Sequence, residues 1–405
     1  MTLALEGIKV IETAAVYAGP MAGRLLADWG ADVIHIEHPV RGDIARSQRT
    51  RKTASSWTIT SNIDYASQNF NRNKRSMTLD LSQEGGREII YKLFEKADVF
   101  LSNFRPRELR KFKLEYDTVS QLNPRLIYAN LSGYGRKGPD GDLPGFEDTG
   151  YFARSGMLHV LQAPGTYPAK MPFALGDNIA GLVLAYGIMT ALLIRERTGI
   201  GQEVDVSLFQ SGVFALSLYI AGTLVTGQDW HVVERKDVVD VLLDLYQTKD
   251  RRWIQLGLVQ PESYWSRLCQ AMEREDLEHD PRFASLESMM QNHAALGHIL
   301  DEVFLSKTLA EWQARLSEAG LPFAPVQNLP EVTADPQARA NDFFTLLDHP
   351  TYGRMEVLAN PVKLGKTPAA VRMAPEFGQH TEEVLLEHGY TWEDIERFKQ
   401  QRVIA

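Results

Sequence analysis

The opening of the chain limits the folds open to it. GIKVIE is a short β-rich apolar run, MAGRLLADWG has an amphipathic helical pattern ending at Gly30, and ADVIHIEHP is a second apolar run stopped by Pro39. Strand, helix and strand in that order form a βαβ unit, which builds parallel sheets through a right-handed crossover. The rhythm then repeats. RSMTLDL reads as a strand, SQEGGREIIYKLFEKA as a helix with Ser82 as candidate N-cap, and DVFLSNF as a strand. PRELRKFKL and YDTVSQL read as helices and RLIYANLSG as another strand. The predicted class is α/β, with an open parallel Rossmann-like sheet covered by helices on both faces.

The texture changes further on. DVVDVLLDLYQTKDRRWIQLGLV alternates and carries turn signals, as a small antiparallel sheet would. PESYWSRLCQAME, MMQNHAALGHILDEVFLS and LAEWQARLSEAG follow as helical patterns. We read 1–224 as a large α/β domain, 225–325 as a smaller α+β domain, and 326–405 as a tail. In that tail GRMEVLANPVKL is strand-like and WEDIERFKQQRV helical.

Composition excludes several functions. Across 405 residues, 43 Lys and Arg face 52 Asp and Glu, a net −9, which argues against a nucleic-acid partner. Cys269 is the only cysteine, so no intrachain disulfide or cysteine metal cluster can form. MTLALEGIKVIE has no signal-peptide pattern. The most apolar stretch, IAGLVLAYGIMTALLI, reaches about sixteen residues, short of the roughly twenty a membrane span needs. These features predict a soluble, cytoplasmic protein with no membrane partner. Ten histidines show no HxxxH or HExxH spacing, so no metal site is expected. Strict glycine-rich phosphate loops and a GxSxG elbow are also missing.

Four features are candidates for chemistry, each with a plain structural alternative. The first turn, ETAAVYAGPMAG, is rich in small residues: either close packing, or a backbone a large ligand can approach. Arg72, Lys74 and Arg75 precede one strand, and Arg105, Arg107, Arg110 and Lys111 follow Asn103 and Phe104 at the end of another. Such runs form either a solvated face or a cationic lip for a phosphorylated ligand. His38, in IEHPVRGD, reads as a loop residue. Asp177, in FALGDNIAGL, stands at the start of a long apolar helix. It would serve there as an N-cap, or as a carboxylate held ionised by backbone N–H groups and able to act as a nucleophile.

In combination these segments resemble the class III coenzyme A transferases, the group of formyl-CoA:oxalate and carnitine CoA-transferases. The resemblance runs through LEGIKVIE, YAGPMAGRLLADWGADVIHIEHP, GD at 42–43, NRNKRSMTLDL, GREIIYKLFEKADVFLSNFRP, LNPRLIYANLSGYGRKGP, PGFED, GDNIAGLVLAYGIMTALLIRERTGIGQEVDVSL, GLPFAPVQ and GQHTEEVL. It implies a large domain completed by the 326–405 return segment, and two subunits threaded as interlocked rings, as a homodimer or with a paralogous subunit. It implies that Asp177 is the nucleophile attacking an acyl-CoA thioester, with passage through an anhydride to an aspartyl-CoA thioester. Glu147 corresponds to a glutamate beside that nucleophile. CoA contacts carry over to Val16, His38, Lys74, Arg75, Asn103, Phe104 and Lys111. The substrates implied are an acyl-CoA and a carboxylic acid, with no cofactor beyond CoA itself and no metal.

Departures from the pattern bear on substrate. Tyr17 replaces the glutamine of the oxalate enzyme, His38 replaces an arginine, and no GGGG run is present. Tyr17, Phe146 and YFARSGML would line a roomier, partly apolar acceptor pocket. Succinyl-CoA is the expected donor and an aromatic or dicarboxylic acid such as benzylsuccinate the expected acceptor. Two alternatives stay open. An acyl-CoA racemase of the same superfamily would need an acid–base histidine where Phe146 stands. A non-catalytic CoA-binding subunit would be expected to lack the aspartate.

Overall fold

The computed structural model describes residues 2–46 and 63–405. It divides into two compact units: residues 1–160, 169–230 and 341–405 form the first, and 161–168 with 231–340 the second.

The first unit is built on six strands: β1 (Lys9–Glu12), β2 (Asp32–Glu37), β3 (Arg75–Thr78), β4 (Val99–Ser102), β5 (Ile127–Ser132) and β6 (Glu203–Ser207). Every pairing within this sheet is parallel and the order is β3-β2-β1-β4-β5-β6, while a separate antiparallel hairpin, Phe344–His349 with Gly353–Leu358, also belongs to the unit. The chain runs from β1 toward the β3 edge and from β4 toward the β6 edge, so a crevice opens between the carboxyl ends of β1 and β4, the point where doubly wound sheets take ligands. Side chains alternate between two cores, because a parallel sheet is buried on both faces. Val10, Val99, Leu101, Ile127 and Ala129 face helices α1 (Ala18–Asp28) and α3 (Leu175–Thr198). Ile11, Ile34, Ile36, Phe100 and Tyr128 face α2 (Glu84–Phe94) and the two C-terminal helices, Thr381–Glu387 and Trp392–Gln400.

Local chemistry explains where elements differ from expectation. α2 is preceded by Gln83, not Ser82, at the N-cap, because Ser82 donates its N–H and hydroxyl to Asp80 Oδ1 at 2.9 and 2.6 Å. α3 runs for 24 residues and is long and apolar enough to cross a membrane, where the apolar run alone suggested about sixteen. Its buried positions, among them Ala180, Gly181, Leu184 and Ile188, instead join the core shared with α1. Gly181 makes that crossing possible: a Cβ there would lie 2.6 Å from the Ala18 carbonyl oxygen. The return segment finishes the β3 edge. His380 donates its N–H to Ser76 O at 2.9 Å, and Thr381 Oγ1 accepts from Thr78 N–H at 3.0 Å.

In the second unit, strands Leu245–Gln247, Trp253–Leu256 and Phe323–Pro325 make an antiparallel sheet. Helices Pro261–Met272, His293–Phe304 and Leu309–Glu318 accompany it. Phe304 stacks on Tyr246 and meets Trp312 at a tilt in its core, which also buries Cys269.

Candidate active site

Asp177 is the third residue of α3, so it is not the N-cap. Ala174 holds that place, in a left-handed conformation (φ +66°) and with no capping side chain of its own. The orphaned N–H groups at the helix start are taken by a carboxylate from elsewhere in the chain. Glu147 accepts from the N–H of Ala174 at 2.5 Å, Gly176 at 2.9 Å and Asp177 at 3.3 Å. Glu147 stands just before a π-helical turn, Asp148–Arg154, in which the N–H groups of Tyr151 and Phe152 both donate to its carbonyl oxygen. That wide turn brings Tyr151 against Gly176, where a Cβ would meet its ring at 2.6 Å.

The consequence is electrostatic. Glu147 absorbs the donors that would have favoured an ionised Asp177, and it adds a like charge beside it. Asp177 is 9% exposed and has no ion-pair partner among the described residues. Burial first, then repulsion from Glu147 and Asp148, pushes its carboxyl up to about 8. The expectation of an Asp177 held ionised by backbone N–H groups is therefore corrected: the N–H groups hold Glu147. Burial also raises the Glu147 carboxyl, although its three backbone donors oppose that shift.

The second cluster lies at the crevice between β1 and β4. Asn103 receives the Ala15 N–H at 3.1 Å and donates to the Ala15 carbonyl at 2.8 Å, tying the two strand ends together. Val16 follows with φ +74°, a conformation that costs a β-branched residue on the order of 1–3 kcal/mol. Its N–H donates to Asp43, 3.1 and 3.3 Å from the two carboxylate oxygens. The small residues of this turn do pack closely, since a Cβ on Gly19 would fall 2.3 Å from Ala14 Cβ. Phe104 packs against Phe112 at 5.2 Å, and exposed Lys111 lies 5.6 Å from the Phe112 ring. Tyr17 rests on Phe70 at 4.5 Å and, with Met157, Leu158 and Met171, lies half-buried against the core that holds Ala174 and Ala180. Phe146 is 61% exposed. The two clusters meet where α1 crosses α3 at Gly181, about one helical turn beyond Asp177.

Other candidates are occupied within the protein. Lys74 is buried and donates to Glu12 at 2.8 and 3.0 Å, to Pro20 O and to Asn71 Oδ1. Arg72 is bound to Asp28, and Arg75, at the amino end of β3, is bound to Asp32 and Glu387. Arg72 and Lys74 thus form internal ion pairs, and Arg75 pairs at the partly exposed edge of the sheet. His38 Nδ1 accepts the N–H groups of Val40 and Arg41, which closes a local turn. Sequence reasoning overlooked Glu12, His35 and Asp43 as a buried group. The available signal was ionisable residues inside runs, KVIE and IHIE, that a parallel sheet must bury.

A doubly wound sheet with a pinned turn at its switch point takes ligands there, and the buried carboxylate at the start of α3 lies on the same unit. The chain belongs to CoA-transferase family III, whose model matches residues 5–381. It is 37% identical to the (R)-2-hydroxy-4-methylpentanoate CoA-transferase of Clostridioides difficile, over 99% of both chains. It is 33% identical to the cinnamoyl-CoA:phenyllactate CoA-transferase of Clostridium sporogenes, over 98% of this chain and 97% of that one. Among solved structures it resembles a CAIB/BAIF family protein from Brucella suis, with a TM-score of 0.82, 27% identity and coverage of 96% and 100%.

Proposed function

We propose that this class III CoA-transferase works by covalent catalysis at Asp177, moving CoA from succinyl-CoA to a bulky carboxylic acid. The observation that carries the reading is the buried, unpaired Asp177 carboxyl beside Glu147. An ionisable group kept out of water without a counter-ion costs stability, and such costs concentrate at functional sites.

The Asp177 carboxylate attacks the thioester carbonyl; the C–S bond breaks, leaving a succinyl–aspartyl anhydride and CoA thiolate. The thiolate attacks the Asp177 acyl carbon of that anhydride, succinate leaves, and an aspartyl-CoA thioester remains. The acceptor carboxylate then displaces the thiolate, and the thiolate attacks the acceptor's acyl carbon, restoring Asp177. Energy is retained because the CoA thiolate is recaptured at each step and the anhydride and thioester intermediates react before water reaches them. Glu147 fixes the helix start and adds to burial in raising the Asp177 pKa, and the Asp177 proton passes to solvent before the carboxylate attacks.

Val16, Asn103 and Phe104, at the switch point, are proposed to meet the CoA moiety, with Lys111 as an accessible cation for its phosphates. His38 and Lys74 contribute through the shape of this region, since the groups just described already engage them, and Arg75 anchors the amino end of β3. Tyr17 and Phe146 favour an acceptor with an aromatic or branched body. The relatives' action on phenyllactate and on a branched hydroxy acid supports that choice, and benzylsuccinate remains a dicarboxylic member to test. The exposed apolar residues of helices Leu208–Ala215 and Ser217–Thr226, such as Phe214, Leu224 and Val225, favour burial against a second subunit, in the interlocked dimer or a heteromer. A racemase would need a proton carrier at Phe146, and a phenyl ring is not one.

The test is isotope exchange. Wild-type protein given succinyl-CoA and radiolabelled succinate, without other acceptor, should move label into succinyl-CoA. Failure to exchange with succinyl-CoA and with several other acyl-CoA/acid pairs would defeat the covalent reading.

A further inference from the structure

The pinned turn at Val16 has a buried foundation that the chemistry at Asp177 does not use. The Asp43 carboxylate that receives the Val16 N–H also receives the Ala45 N–H at 2.9 Å. On its far side, His35 Nε2 lies 3.4 Å from Asp43 Oδ2, while His35 Nδ1 lies 2.6 Å from Glu12 Oε1. Lys74 closes the chain on Glu12 and also grips Pro20 O in the first turn of α1. A parallel branch runs from the Asp43 N–H to Glu37, which Arg46 and Ser76 Oγ hold. His35 is 1% exposed, Glu12 is fully buried and Asp43 is 4% exposed.

We propose that the Glu12–His35–Asp43 chain holds Val16 in its strained backbone conformation, making His35 a positioning residue for CoA affinity. The inference rests on the reading that the Val16 turn meets CoA. Charge counting supports it. Among the described residues, three carboxylates face His35 and one another: Glu12 from β1, Glu37 from β2 itself, and Asp43 from the loop beyond. Lys74, ahead of β3, and Arg46 supply two positive charges, and an imidazolium at His35 supplies the third. Burial alone would lower the His35 pKa, but the Asp43 carboxylate 3.4 Å away, the hydrogen bond to Glu12 and the charges of Glu12 and Glu37 raise it to about 9. Without that cation two buried carboxylates would repel across the ring position, Asp43 would withdraw or take up a proton, and Val16 would lose its strongest restraint. A glycine at position 16 would need no such restraint, since it adopts positive φ freely.

The test measures binding of S-ethyl-CoA, a stable thioether, by calorimetry in a double-mutant cycle. His35→Gln should weaken binding at least about tenfold when Val16 is present and less than about threefold when Val16→Gly is also made. Equal losses in both backgrounds, or no loss in either, would overturn the proposal. Should His35→Gln fail to fold, the pH dependence of binding decides. Affinity of the wild type should fall more steeply between pH 8 and 10 than that of Val16→Gly, and parallel profiles would overturn the proposal. Absence of S-ethyl-CoA binding to the wild type at any pH would overturn the CoA reading of this turn, and this inference with it.

Discussion

Asp177→Asn is expected to lower kcat by at least about 10⁴-fold, as loss of a covalent nucleophile does, and to raise the protein's stability at neutral and alkaline pH. Both effects come from one environment. Asparagine is nearly isosteric but cannot form the anhydride, so no exchange of labelled succinate should survive. The stability change follows from linkage. The Asp177 pKa rises on folding from its ordinary 3.8 to about 8, first by burial and then through Glu147 and Asp148. A raised pKa means the fold favours the protonated form. The wild-type protein therefore loses stability as pH climbs from about 4 through about 8, because the unfolded chain ionises freely and the folded one does not. Asparagine mimics the neutral form and escapes that loss. The variant should match the wild type near pH 4 and exceed it by a few kcal/mol at pH 8, seen as a melting temperature higher by several degrees. Thermal melts of both proteins from pH 4 to 9 check this, and parallel curves would mean Asp177 is not buried under repulsion.

Glu147→Gln should change the pH profile as well as the rate. In the wild type, kcat/KM should rise with pH along a limb near 8, the value to which Asp177 is pushed. Removing the Glu147 charge deletes the second cause of that elevation and leaves burial, so the limb should move to lower pH. The maximal rate should nonetheless fall roughly 10–100-fold. Glutamine brings an amide NH2 toward three N–H donors that a carboxylate satisfied together, and the start of α3 shifts with Asp177 upon it. A reduced rate with an unmoved limb would assign Glu147 to helix capping alone. A moved limb with an unchanged maximum would assign it to electrostatics alone.

The sheet was legible because its information is local. Apolar runs of four to six residues, those of β1, β3 and β4 followed by a helical period, place β1 to β5 near their observed positions. Asp177 was legible as a position but not as an environment. Its surroundings depend on Glu147, thirty residues earlier, and no local pattern announces that a distant carboxylate will take the N–H groups of a helix start. The run Arg72–Arg75 misled for the same reason. Its partners, Asp28, Glu12 and Asp32, belong to α1, β1 and β2, and pairing across a fold is invisible to composition. The strain at Val16 was hidden as well, because valine carries no sign of a left-handed backbone; glycine or asparagine there would have shown it.

The most direct measurement looks for the covalent intermediate. Wild-type protein is incubated with succinyl-CoA and no acceptor, reduced with borohydride or trapped with hydroxylamine, and digested for peptide mass mapping. The account predicts a mass change on the peptide bearing Asp177 and on no other acidic residue, and none in Asp177→Asn. An unmodified Asp177 in protein that binds CoA and has been offered several acyl-CoA donors would contradict it.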